Sequence, residues 1–310
     1  MADPAIDIQE FSKSYGSLQA VKRVSLQVRQ GEIYGLIGPD GAGKTTLLRA
    51  VCTLLKPDSG RIRVNGADTT SDFRQVRRRI GYMPQRFSLY TDLTVEQNLQ
   101  FFADLFQVPS RERPERLSQL YQFSRLEPFR KRLAGALSGG MKQKLALSCA
   151  LIHTPEVLVL DEPTFGVDPV SREEFWEILQ SIRQEGTAIL VSTAYMEEAD
   201  LCGRVSLMHR GELVSSGTPR ELRQQYPYPL YRLQGENLRE LQRFFREMES
   251  VHSTQLFGDA LHVSFQHDPQ EREWRSWQKQ QGENLRRWKA QAPDIEDIFM
   301  QMMSESDENK

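Results

Sequence analysis

The sequence predicts an α/β protein, on three observations. Short apolar runs alternate with helical patterns over roughly the first 225 residues, a glycine-rich loop sits between such a run and a helix, and a second apolar run ends in two carboxylates. The opening is different in character. Ala5-Ile6-Asp7-Ile8 and Val24-Ser25-Leu26-Gln27-Val28 alternate with period two, as half-buried antiparallel strands do, and Arg61-Ile62-Arg63-Val64 continues the pattern. Glu32 to Ile37 reads as a buried strand and Thr46 to Val51 as a helix, with the loop between them. Val157 to Leu160 is the second buried run. Two prolines in Tyr226-Pro227-Tyr228-Pro229 mark a boundary, because proline ends helices and stiffens links. Beyond it Leu230 to Leu233 and Asp259 to Phe265 are expected as strands, Asn237 to Met248 as an amphipathic helix, and a polar helix from about Pro269. The stretch Ser304 to Lys310 is expected to be disordered. Residues 1–225 are thus read as one domain and 226–310 as a small second unit.

Composition narrows the possible functions. The chain has 310 residues, with 40 Lys plus Arg against 42 Asp plus Glu, so no basic field suggests nucleic acid. No apolar run approaches the roughly 20 residues of a membrane helix, and Met1 to Glu10 lacks a signal peptide's regions, so a soluble, cytoplasmic protein is expected. Cys52, Cys149 and Cys202 lack the spacing of a zinc site or a disulfide framework and are expected as buried thiols.

The loop carries the first chemistry. Gly38-Pro39-Asp40-Gly41-Ala42-Gly43-Lys44-Thr45 fits G-x-x-x-x-G-K-S/T, in which glycines let the backbone curl its amides around phosphates and the next helix, from Thr46, adds its positive end. Lys44 is expected to neutralise β- and γ-phosphate oxygens and Thr45 to hold Mg²⁺. Asp161 and Glu162 end a buried strand, a costly place for charge unless a cation or substrate uses it. Beside a phosphate loop, Asp161 is assigned to Mg²⁺ and Glu162 to polarising an attacking water. Leu137-Ser138-Gly139-Gly140-Met141 opens a helix, with Ser138 as N-cap, and makes a second anion-binding end. One nucleotide needs a single such end, which invites a dimer whose subunits exchange these turns.

Together these motifs resemble the ATP-binding subunits of ABC transporters, over about residues 5 to 222. The resemblance implies a P-loop NTPase fold of the ABC ATPase type: a mixed sheet with an antiparallel β subdomain and a helical subdomain, plus the small α+β C-terminal extension. It assigns Tyr15 to stacking on adenine, Gln85 to Mg²⁺ and water, and Ser138, Gly139 and Gly140 to the γ-phosphate of the partner's nucleotide. Asp168 falls in the loop that crosses the dimer interface. Phe87, Leu89, Tyr90 and Leu93 fall where the family receives a helix of the permease, and an exposed apolar cluster would suit that docking, with core packing as the other reading. Glu162, Gln85 and Lys44 are the implied catalytic set, ATP and Mg²⁺ the cofactors. Membrane permease subunits and a second ATPase subunit, identical or different, are the implied partners, which would hold the chain at the inner face of the membrane. Met141 and the closing Pro293-Asp294-Ile295-Glu296-Asp297-Ile298-Phe299 resemble the drug-exporter branch.

Two positions depart from the family pattern. Ala194, in Ser192-Thr193-Ala194-Tyr195, stands where the family usually has a histidine that bonds the γ-phosphate, and none of His153, His209, His252, His262 and His267 is near in sequence. Losing one such donor costs about a hundredfold to a thousandfold in rate, so slow hydrolysis is expected. Asp40 replaces the usual asparagine and brings a carboxylate near the phosphates. The leading expectation is an exporter ATPase. The alternatives are a catalytically weakened subunit paired with a second ATPase and a soluble non-transport ABC protein.

Overall fold

The computed structural model describes residues 3–308, and the chain divides into two compact units after Pro219. In chain order the first unit holds β1 (Ile6–Tyr15), β2 (Leu18–Val28), β3 (Ile33–Ile37), α1 (Lys44–Val51), β4 (Ser59–Val64), β5 (Ala67–Asp68), α2 (Phe73–Arg79) and β6 (Ile80–Met83). It continues through α3 (Val95–Leu105), α4 (Arg113–Ser124), α5 (Gly139–Leu151), β7 (Val157–Asp161), α6 (Pro169–Gln184), β8 (Ala188–Thr193), β9 (Arg204–His209) and β10 (Glu212–Gly217). The division falls at the first turn of α7 (Pro219–Gln224).

Two sheets build the first unit. The alternating segments form an antiparallel sheet in the order β2-β1-β4-β5. Its buried residues Ile6, Ile8, Val24, Leu26, Val28, Ile62 and Val64 share one core with α1 and the second sheet. That second sheet has the order β10-β9-β3-β8-β7-β6, and every pairing from β9 to β6 is parallel. All five residues of β3 and of β7 are buried, as expected for strands covered on both faces. A separate apolar cluster holds the helical segment together, with Leu99 of α3, Tyr121 of α4 and Leu145 of α5 at its centre.

The second unit contains β11 (Leu230–Gln234), α8 (Leu238–Arg246), β12 (Val251–Phe257), β13 (Ala260–Phe265), α9 (Glu271–Gln281), β14 (Arg287–Ala290) and α10 (Ile295–Glu308). The order β12-β13-β11-β14, antiparallel throughout, with helices after the first and third strands, is a split β-α-β of the ferredoxin-like type. Alternation in β13 explains its full burial. Leu261, Val263 and Phe265 pack on Leu241, Phe245, Trp274 and Trp277 of α8 and α9, while His262 and Ser264 face the other way. On that side His262 Nδ1 lies 2.9 Å from Asp297 Oδ1 of α10, and Ser264 bonds the Tyr226 hydroxyl.

Several expectations change here. α9 is polar in composition but inserts two tryptophans into the core. β12 and β14, which lack a clean alternation, went unpredicted. The stretch expected as a disordered tail continues α10 to Glu308, with residues 309–310 outside the described part.

Candidate nucleotide-binding site

Four parallel strands bring the site residues together at their carboxyl ends. β3 runs into the loop at Gly38, β7 ends at Asp161 with Glu162 the next residue, β8 ends one residue before Ala194, and β6 ends two residues before Gln85. Register makes this close: Ile37 pairs with Thr193, Asp161 with Ser192, and Met83 with Leu160. The carboxyl edge of a parallel sheet is where such folds bind ligands.

The loop itself needs its glycines. Gly43 has φ 109°, and a Cβ there would lie 2.5 Å from the Ala20 carbonyl oxygen of β2. A Cβ on Gly38 would lie 2.2 Å from the Met208 carbonyl oxygen. The chain therefore passes where only hydrogen fits. α1 begins directly at Lys44, so its first amides have no partner inside the helix and are available to an anion. The Lys44 ammonium, only 3% exposed, sits 2.7 Å from the Gly38 carbonyl, 3.1 Å from that of Pro39 and 3.1 Å from Glu162 Oε1.

Glu162 is 5% exposed and is held on its other oxygen by Gln85, whose Nε2 donates to Oε2 at 2.8 Å. Its backbone is left-handed, with φ 49°, and its N–H donates to both the carbonyl and the hydroxyl of Ser192, each at 3.1 Å. Asp161 accepts on Oδ1 from Thr45 at 3.0 Å and from Ser192 at 2.7 Å. Its Oδ2 is buried with no hydrogen bond. Burial pushes the Asp161 carboxyl above its ordinary value; the two hydroxyls pull it back, and the Glu162 charge adds to the rise. A hydroxyl, an amide and a buried carboxylate oxygen without a partner form a hard-oxygen donor set, which fits Mg²⁺.

Ser138, Gly139, Gly140 and Asp168 form a second group. Ser138 caps α5 by accepting from Met141 N, and Asp168 caps α6 by accepting from Ser171 N at 2.9 Å, which holds its carboxyl below the ordinary range. A Cβ on Gly140 would lie 2.6 Å from Ser171, so the two caps sit against each other. Both caps are exposed, flanked by Phe165 at 55% and Val170 at 68% exposure. Tyr15 lies at the tip of the β1-β2 hairpin, half exposed.

Ala194 is half-buried between Thr193, whose carbonyl accepts from Gly38 N at 3.2 Å, and Tyr195. The Tyr195 ring lies under the Arg172 guanidinium at 4.1 Å, and Glu198 accepts from Thr164 at 2.7 Å, so the segment after β8 is fixed to the segment after β7. The side chain at this position is a methyl group, which offers no hydrogen-bond donor. The apolar residues after Gln85 are not an exposed cluster. Leu89 is buried, Phe87 packs against the helical core, Leu93 is partly covered, and Tyr90 alone of the four is exposed. Beside them is a cavity of about 350 Å³ lined by Leu54, Tyr82, Pro84, Leu89, Phe102 and Phe106.

Sequence reasoning missed Ser192. Its signal was present: a polar residue closing the apolar run Ala188 to Val191, which the structure buries fully. In the second unit the fold brings His262, Asp294 and Asp297 together. Their sequence separation hid them.

Residues 21–165 match the ABC transporter family. The probable multidrug ABC transporter ATP-binding protein YbhF of Escherichia coli is 42% identical over 223 residues, covering 72% of this chain and 39% of that relative's own length. The daunorubicin resistance ATP-binding protein DrrA3 of Streptomyces coeruleorubidus is 41% identical, covering 72% of this chain and 71% of its own. The Nod factor export ATP-binding protein I of Sinorhizobium fredii is 36% identical over 303 residues, 97% of this chain and 86% of its own, so that likeness takes in the second unit. Among solved structures, an ATP-binding subunit of an ABC transporter superposes with TM-score 0.66 at 30% identity, covering 72% of this chain and 93% of that one. A dimeric bacterial ABC transporter cassette does so with TM-score 0.63 at 27% identity, covering 69% and 98%. Among the described residues no helix is long and apolar enough to cross a membrane. With the loop, the paired carboxylates and the capped glycine turn on one cassette fold, the chain belongs to the ABC transporter family, as an ATP-binding subunit of its drug-exporter branch.

Proposed function

We propose that this chain binds and slowly hydrolyses ATP, and that dimer closure on ATP drives a membrane permease that exports its substrate. The observation that carries the reading is the buried Lys44–Glu162 pair, joined by Gln85 and lying beside Asp161 and Thr45, at the mouth of the glycine loop. The loop amides and Lys44 hold the triphosphate. Lys44 exchanges its contact with Glu162 for phosphate oxygens, which frees the Glu162 carboxylate to take a proton from the attacking water. Gln85, tied to Glu162, orients that water. Thr45, Asp161 and Gln85 would hold Mg²⁺, which supplies charge neutralisation of the phosphates when bound. Tyr15, at its exposed hairpin tip, offers a ring to the adenine. The exposed residues Ser138, Gly139 and Asp168, with Phe165 and Val170 beside them, suit a second cassette that takes the glycine turn onto its own γ-phosphate. The cavity at Leu54 and Phe106, with Tyr90 and Leu105 exposed, is the surface proposed for the permease.

Ala194 favours a second reading beside the first, in which this subunit clamps ATP while a different partner supplies the faster site. Restoring the donor tests the premise both readings share, and turnover of the chain alone and with its partner subunit separates them. Ala194→His is expected to raise turnover by about a hundredfold, with ATP affinity changed less than about threefold. An unchanged rate would overturn the role assigned to that position. Copurification with a multi-spanning membrane protein tests the transport reading, and its failure in native membranes favours a soluble role.

A further inference from the structure

Ser192 joins the two carboxylates that the mechanism uses. It is fully buried on β8, directly opposite Asp161 in the parallel register. A hydroxyl has one proton to give and lone pairs to receive, and both capacities are used here. The proton goes to Asp161 Oδ1 at 2.7 Å, and the oxygen accepts from the Glu162 N–H at 3.1 Å.

Each bond has a geometric consequence. With Thr45 also donating to Oδ1, that oxygen is doubly occupied, while Oδ2 stays buried and bare. The carboxylate is thereby turned so that a single, unneutralised oxygen remains for a cation. The Glu162 backbone, at φ 49°, lies in a region that side-chain-bearing residues seldom adopt. The second acceptor offered to its N–H by Ser192 supports that conformation, from which the side chain reaches both Lys44 and Gln85.

We propose that Ser192 is a positioning residue of the site: it selects Oδ2 of Asp161 as the oxygen facing the divalent cation and holds the base Glu162 in its left-handed backbone. The proposal rests on the nucleotide-binding reading above. It concerns Mg²⁺ and not the triphosphate itself, so the two separate experimentally. Binding of a fluorescent ATP analogue to the full chain, in excess EDTA and in a Mg²⁺ titration, is compared for wild type, Ser192→Ala and Ser192→Thr, with thermal melts as a check of folding.

Ser192→Ala is expected to bind the analogue in EDTA within about twofold of wild type and to need about tenfold more Mg²⁺ for half-maximal enhancement, as loss of a hydrogen bond to a charged group predicts. Ser192→Thr, which keeps the hydroxyl on a strand that suits a β-branched residue, restores the wild-type Mg²⁺ requirement. An unaltered Mg²⁺ requirement in Ser192→Ala overturns the proposal. So does an equal loss of binding with and without Mg²⁺, which would make Ser192 a support of the loop. A wild-type chain that binds no nucleotide under either condition would instead overturn the reading of the site on which the proposal stands.

Discussion

Glu162→Gln tests the centre of the site because it removes a charge and keeps the shape. The carboxylate lies 3.1 Å from the Lys44 ammonium, and the two side chains are 5% and 3% exposed. At an effective dielectric of ~20 the attraction at this distance is about 5 kcal/mol, and much of it is offset by the cost of burying the two ions. Removing one member of a buried pair typically costs roughly 3–5 kcal/mol. Here Lys44 keeps its bonds to the Gly38 and Pro39 carbonyls and the glutamine oxygen still accepts, so about 2 kcal/mol is expected. For a unit of this size that is a fall of roughly 4–8 °C in Tm without nucleotide. MgATP reverses the sign. On the proposed mechanism the phosphates draw Lys44 of the parent protein away from Glu162, whereas in the variant no such contact is broken and a like charge is gone. Affinity is therefore expected to rise about thirtyfold, the same 2 kcal/mol, while turnover is lost with the base. Differential scanning calorimetry with and without MgATP, beside phosphate release, measures all three. An unchanged Tm without nucleotide, or ATP bound more weakly than by the parent, would refute the argument that Lys44 is shared between Glu162 and the phosphates.

Two further predictions concern stability. Phe245 is fully buried against Phe265 and Trp277, and Phe245→Ala is expected to cost about 3–5 kcal/mol, most of what a unit of some 90 residues has. Three of the four tryptophans, Trp274, Trp277 and Trp288, lie in that unit, so their fluorescence reports it; an unmoved emission transition would contradict the packing. His153 stacks on Phe106 at 3.8 Å, and its Nδ1 is buried without a partner. Burial lowers its pKa to about 4, below that of the unfolded chain. The unfolded state therefore takes the proton first. This stability is fully present above about pH 6.5 and is lost as pH falls toward 4, by at most about 3 kcal/mol. In His153→Phe, which keeps the stack, urea midpoints between pH 7 and 4.5 are expected to fall less than in the parent, and parallel curves would remove His153 as the cause.

Local spacing carried much of the site. The conformation of a glycine loop follows from φ angles and backbone amides, so the candidate loop Gly38 to Thr45 could be read from residue types alone, as could the cap at Ser138 and the carboxylates that follow Val157 to Leu160. The same holds for the alternating strands of the antiparallel sheet. Burial after Gln85 was less legible. Phe87, Leu89, Tyr90 and Leu93 form one apolar string, and only the packing of α3 and α5 decides that Leu89 is core and Tyr90 surface.

By itself, then, the sequence determined the glycine-rich loop, the carboxylates that end an apolar run, the cassette family and an alanine at position 194, since each is written in contiguous residues. Tertiary structure alone decided the contacts between them. The Lys44–Glu162 pair, the Ser192 bridge and the His262–Asp297 contact join residues 118, 30 and 35 positions apart, and they depend on which strands are neighbours and in what register. A one-residue slip of β8 against β7 would turn the Ser192 hydroxyl to the opposite face of the sheet and leave both motifs intact in sequence. Strand order and register are set by burial of the whole sheet, and no short segment encodes them.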